Sequence, residues 1–178
     1  MKEIEKESTC GCVSTENVKS TENVKLPERE TIYDLVKNGK CVINDEEIYV
    51  KHKKIIIMHK CFDKMNYKLA DEFISDNMDI IEFGYGMGFY ANYVQNKYNL
   101  KSHTIVEINP QIIKTIKEWM VDKPNVILIE GDWFEKQTEI KSRKYDNIYF
   151  DTVLDKNQKE FPKLLNDIKK DKSIFMYS

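Results

Sequence analysis

Five short runs of β-branched and aromatic residues, spaced through the second half of the chain, restrict its fold more than any other feature. They read DIIEF (79–83), HTIVEI (103–108), NVILIE (125–130), DNIYFD (146–151) and KSIFMYS (172–178). Between them lie segments with apolar residues at helical spacing. These are Tyr90, Tyr93 and Val94; Ile112, Ile113, Ile116 and Trp119, opening at Pro110; Trp133 and Phe134; and Phe161, Leu164, Leu165 and Ile168. Continuous apolar strands alternating with helices predict a parallel α/β sheet, doubly wound, with both faces covered.

Upstream the pattern changes. Residues 1–28 hold few large apolar side chains and a tandem STENVK repeat at 14–25; two units are too few to stack into a solenoid, so a flexible polar leader is expected. Ile32, Leu35 and Val36 predict a short helix from Arg29, stopped at Asn38-Gly39. CVIN (41–44) and EIYV (47–50) flank Asp45-Glu46 and predict a hairpin, with KIIIM (54–58) continuing the apolar run. Phe62, Met65, Leu69 and Phe73 predict an amphipathic helix that leads into the first strand. The expected organisation is a leader (1–28), a helix, hairpin and lid region (29–77) and a ligand-binding core (78–178).

Composition excludes several classes of function. The 28 basic residues against 30 acidic give a formal net charge of −2, without the basic excess that holds nucleic acid. No apolar run approaches the ~18 residues that span a bilayer, and the start MKEIEKESTCGC lacks the apolar core of a secretion signal. Cys10, Cys12, Cys41 and Cys61 include no CxxC pair and fit free thiols in a reduced, cytoplasmic protein. Cys10 and Cys12 could contribute to a metal site, but His52, His59 and His103 lack zinc-finger spacing, so no metal is expected.

Three of the six glycines, Gly84, Gly86 and Gly88, fall at the first strand-to-helix turn. Sheets of this kind bind ligands outside the carboxyl ends of their strands, and glycine lets backbone N–H groups approach closely. A dinucleotide turn needs a small third residue, where this chain has Phe89, and Glu82 just before the turn would repel a pyrophosphate. A ligand with a positive end fits better, and S-adenosylmethionine, with its ammonium and sulfonium, is one. Glu107, nineteen residues after Gly88, ends the second strand where ribose hydroxyls would be held, and Gly131-Asp132-Trp133 follows the third, beside adenine. Asp151, at the end of the fourth strand, points at the reaction site.

The E-x-G-x-G-x-G turn resembles motif I of class I methyltransferases. From Asp79 to Thr152 the chain resembles guanidinoacetate N-methyltransferase and the related fungal arginine N-methyltransferases. The resemblance rests on DIIEFGYGMG, HTIVEINP, EGDWFE and YDNIYFDT, and KHKKIIIM is similar to the family's segment that closes over the site. It implies a Rossmann-like fold and an enzyme that methylates a guanidino or similar small nitrogen nucleophile. By it, Glu82, Gly84, Gly86, Met87 and Gly88 would hold the methionine part, Glu107 and Asn109 the ribose, and Gly131, Asp132 and Trp133 the adenine. Asp151 would bind the guanidinium and take its proton, with Met58, Asp63 and Thr152 also facing the substrate.

Three positions depart from the family. Its Trp-Glu pair before the first strand falls on Cys61-Phe62, with Asp63 one residue away, and its aromatic and proline after the Asp-Thr pair fall on Val153-Leu154. The sheet stops at a fifth strand, short of the family's last two, so an exposed edge covered by a second copy or a partner is expected. Two further readings stay open: a catalytically weak S-adenosylmethionine-binding partner or regulatory subunit, and a methyltransferase of protein side chains.

Overall fold

A computed structural model describes residues 30–50, 55–153 and 157–177. The expected leader, the KHKK of KHKKIIIM and Leu154 lie outside the described residues. Two units are distinguished, Met1–Glu30 and Thr31–Ser178, and the fold belongs to the second.

That unit opens with α1 (Ile32–Lys37), whose start is fixed by a capping box in which Thr31 and Asp34 exchange side-chain and backbone hydrogen bonds. A three-stranded antiparallel sheet follows, of β1 (Val42–Ile43), β2 (Glu47–Val50) and β3 (Ile55–His59), in that order. After α2 (Asp63–Phe73) the chain enters the alternating part. Its elements are β4 (Asp79–Phe83), α3 (Phe89–Lys97), β5 (Ser102–Glu107), α4 (Pro110–Trp119), β6 (Val126–Glu130), α5 (Gln137–Ile140), β7 (Tyr145–Phe150), α6 (Phe161–Ile168) and β8 (Lys169–Tyr177).

The main sheet runs β6-β5-β4-β7-β8, and every pairing is parallel. All five residues of β4 are buried, because apolar layers cover both faces of this central strand. On one face Ile81, Phe83, Ile148 and Phe150 pack with Phe161 and Leu164 of α6. On the other, Ile80 and Tyr149 pack with Ala70 of α2 and Tyr90 and Val94 of α3. A third cluster joins α1 and β2 to α4 through Leu35, Ile48, Ile112 and Ile116. The strand order reverses beside β4, which puts a crevice at its carboxyl end between β5 and β7.

The predicted Trp133-Phe134 helical segment corresponds to α5, which begins only at Gln137. Before it, Asp132 accepts the Phe134 N–H at 2.9 Å and Trp133 turns into the core. β8 begins three residues earlier than the apolar run suggests, and its pairing with β7 shifts register between Tyr145 and Asn147. Among the described residues no helix is long and apolar enough to cross a membrane.

Candidate active site

The glycine turn is shaped by what lies against it. Gly84, Gly86 and Gly88 have φ of +87°, +55° and +74°, a backbone region that L side chains rarely adopt. A Cβ on Gly84 would lie inside the surface of the Asp151 carbonyl oxygen, so the missing side chain is what lets the end of β7 pass against the turn. The Asp151 N–H donates to Phe83 O at 3.0 Å and the Gly84 N–H to Val106 O at 2.9 Å. Three strand ends are thereby tied at one point.

Across the turn lies β3. The Met87 N–H donates to the Met58 sulfur at 3.2 Å, and the end of the Met58 side chain fills the space beside Gly86. β3 and α1 roof the crevice into a cavity of about 700 Å3. Tyr33, Ile57, Met58, Gly84, Gly86 and the strand-end residues Glu107, Asn109, Gly131, Asp132, Trp133, Asp151 and Thr152 all line it.

Glu107 is buried, and its carboxylate accepts the N–H groups of Tyr85 (2.9 Å), Ile108 (2.8 Å) and Asn109 (2.7 Å). Burial raises its pKa, and these backbone donors pull in the opposite direction. Asn109 caps α4 by accepting the Gln111 and Ile112 N–H groups on Oδ1, which fixes the amide's orientation. Its Nδ2 is buried without a hydrogen-bond partner, in a residue that lines the cavity. A buried donor of this kind is ordinarily satisfied by a ligand or an ordered water.

Asp132 accepts the Phe134 N–H on Oδ1 and the Tyr33 hydroxyl on Oδ2. Trp133 lines the cavity but is held as a core residue, edge-on to Phe150 and Phe161 at centroid distances of 6.1 and 5.4 Å. Asp151 receives the Tyr149 hydroxyl on Oδ2 at 3.2 Å.

Not every expected residue reaches the cavity. Glu82 points away from it, buried, with Oε2 3.0 Å from Nε2 of the equally buried His103. Burial holds its pKa well above the ordinary range, and the nearby Asp151 and Glu107 push the same way. The same burial depresses His103 to about 3. Met87 and Gly88 shape the turn without lining the cavity. Asp63 opens α2, and its side chain lies outside those described. Sequence reasoning missed Tyr33, Tyr149 and His103. Tyr33 and Asp132 are 99 positions apart, and no spacing pattern links them.

A sequence model of the guanidinoacetate N-methyltransferase family matches residues 37–174. Over 83 residues, 44% of this chain and 20% of the relative, the chain is 32% identical to protein arginine N-methyltransferase 2 of Kluyveromyces lactis. With the protein of the same name from Yarrowia lipolytica the identity is 26% over 129 residues, 67% of this chain and 27% of the relative. The chain thus spans between about a fifth and about a quarter of these relatives' length. Two solved methyltransferases share the fold. A precorrin-6y C5,15-methyltransferase from Geobacter metallireducens aligns with TM-score 0.56 and 15% identity, over 67% of this chain and 63% of that one. A glycopeptide N-methyltransferase in complex with S-adenosyl-L-homocysteine aligns with TM-score 0.51 and 9% identity, over 65% and 51%. A match that begins in α1 and runs into β8 takes in every cavity-lining strand end, and the chain belongs to the guanidinoacetate N-methyltransferase family.

Proposed function

We propose that the chain forms the cofactor-binding and catalytic part of an S-adenosylmethionine-dependent N-methyltransferase acting on a guanidino nitrogen. The observation that carries this reading is electrostatic. Glu107, Asp132 and Asp151 line one largely apolar cavity, and no Lys, Arg or His lines it among the described residues. Such a cavity favours cationic guests, since carboxylates attract charge strongly where water is scarce.

The residues fit the cofactor. Gly84 and Gly86 bring the backbone of the turn to the cavity wall, where its methionine part would lie, and Glu107 with the unsatisfied Asn109 amide offers an acceptor and a donor to a ribose. Asp132 offers acceptor atoms for adenine. When bound, S-adenosylmethionine supplies an electrophilic methyl group and a neutral sulfide leaving group. Asp151 holds one guanidinium nitrogen through its carboxylate and accepts, on Oδ, the proton that nitrogen loses as the N–C bond forms. Tyr149 donates to Asp151 from below the cavity and steadies the carboxylate.

A second reading concerns the acceptor alone. The relatives' names specify arginine in proteins, and an arginine side chain presents a guanidinium on an alkyl stem that suits the Ile57 and Val153 wall. Radiolabelled S-adenosylmethionine offered with guanidinoacetate, free arginine, arginine-containing peptides and simple amines separates these acceptors. Asp151→Asn is expected to lower transfer at least ~100-fold while S-adenosylhomocysteine binding persists. Undiminished turnover in that variant removes Asp151 from the chemistry.

A further inference from the structure

We propose that Tyr33 is a positioning residue for base recognition, whose hydroxyl orients the Asp132 carboxylate to accept from the exocyclic amine of a 6-aminopurine. The inference rests on the cofactor reading above and extends it to α1, a helix outside the alternating sheet.

Asp132 sits two residues beyond the end of β6, only 4% exposed, in the wall of the cavity. Its two oxygens are held by donors from different elements. Oδ1 accepts the Phe134 N–H at 2.9 Å from its own loop, and Oδ2 accepts the Tyr33 hydroxyl from α1. With Phe134 alone, the carboxylate would be pinned at one oxygen and could turn about the Cβ–Cγ bond. Tyr33 removes that freedom.

The position of the hydroxyl is itself fixed. α1 is capped at Thr31, and its buried Leu35 and Val36 pack into the cluster that contains Ile112 and Ile116 of α4. Lys37, one turn along α1, lies 3.9 Å from the same Oδ2 and 3.0 Å from Glu135. An ionised carboxylate offers about four acceptor positions, so two donors leave it able to accept more. It donates nothing. A ring edge bearing an amine satisfies it, whereas a ring edge bearing a carbonyl sets oxygen against oxygen. A carboxylate held in one orientation therefore discriminates between these edges, and a freely turning one does so less.

The experiment is calorimetric binding of S-adenosylhomocysteine and its 6-oxo analogue, S-inosylhomocysteine, to the full chain and two variants. The wild type is expected to prefer the adenosyl ligand by at least about tenfold, the effect of one charge-assisted hydrogen bond. Tyr33→Phe is expected to cut that preference about threefold to tenfold by weakening the adenosyl ligand alone, with the unfolding midpoint little changed. Asp132→Asn replaces an acceptor by an amide that can donate, and is expected to shift the preference toward the inosyl ligand. Equal weakening of both ligands by Tyr33→Phe, or an unchanged ratio, overturns the proposal and leaves the cofactor reading standing. Should Tyr33→Phe not fold, an unchanged preference in Asp132→Asn overturns the proposal from the other partner. Failure of the wild type to bind either ligand overturns the cofactor reading and the proposal with it.

Discussion

Glu82 and His103 are buried against one another, where burial favours the neutral form of each. Both side chains are buried at 3.0 Å, burial holding the glutamate's pKa up and the histidine's down to about 3. The two affect stability with opposite signs. For Glu82, the folded state keeps a proton that the unfolded chain releases above about 4.5, so its contribution falls as pH rises from there. For His103, the unfolded chain gains a proton below about 6.5 that the folded state refuses, so its contribution falls as pH drops from there toward 3. Between these values the slopes cancel, and on the alkaline side only the Glu82 loss remains. Glu82→Gln keeps a neutral donor toward His103 and is expected to flatten the decline above about pH 6.5 in thermal unfolding. A decline as steep as the wild type's would show that Glu82 is already ionised in the fold. From sequence, Glu82 carries the same signal as any acid before a glycine turn, and only the positions of β4 and β5 reveal that it faces His103. Glu107 and Asp151 were legible because strand-end position alone puts them at the crevice, whereas Asn109 entered only through the family resemblance.

At the level of elements, the alternating strands were readable because each is buried on both faces and so runs apolar without interruption. β8 shows where that signal stops. Its first residues, Lys169 to Lys172, are charged and lie at the amino end of the sheet, where side chains meet partners and water rather than core. There Asp79 of β4 binds Lys170 of β8 (2.8 Å), Lys101 (3.0 Å) and Ser102 of β5 (2.7 Å), while Lys170 also reaches Asp146 of β7 (2.6 Å). Burial would raise the Asp79 pKa, but hydrogen bonds from Lys170, Ser102 and Lys101 outweigh it and bring the value to about 2. The stability this gives is present above about pH 4 and is lost as pH falls toward 2. Asp79→Asn is expected to remove that acid-side slope and to speed hydrogen exchange in β8 more than in β5, since β8 has a sheet neighbour on one side only. Equal acceleration in both strands would place the effect elsewhere.

For the molecule as a whole, the sheet order leaves β6 and β8 as edges among the described strands. Phe175 on β8 stays 42% exposed although its ring lies 5.7 Å from Phe161. Along the β8 edge the charged Lys169–Lys172 oppose further pairing, and Phe175 is the exposed large apolar side chain. Such an edge was foreseeable from strand count. The roof of the cavity was not, because α1 and β3 meet the sheet through contacts far apart in the chain, such as Met58 with Met87 and Tyr33 with Asp132.

The contact of α1 with the strand ends bears on where this protein can be cut. A fragment begun at Met78 would keep every strand of the main sheet and the whole glycine turn, and by the sheet alone would look complete. It would lack Tyr33, Val36, Ile57 and Met58, and with them the roof that makes a partly covered cavity out of an open crevice. Among the described residues, a fragment that keeps this roof therefore begins at Thr31, whose hydroxyl starts α1.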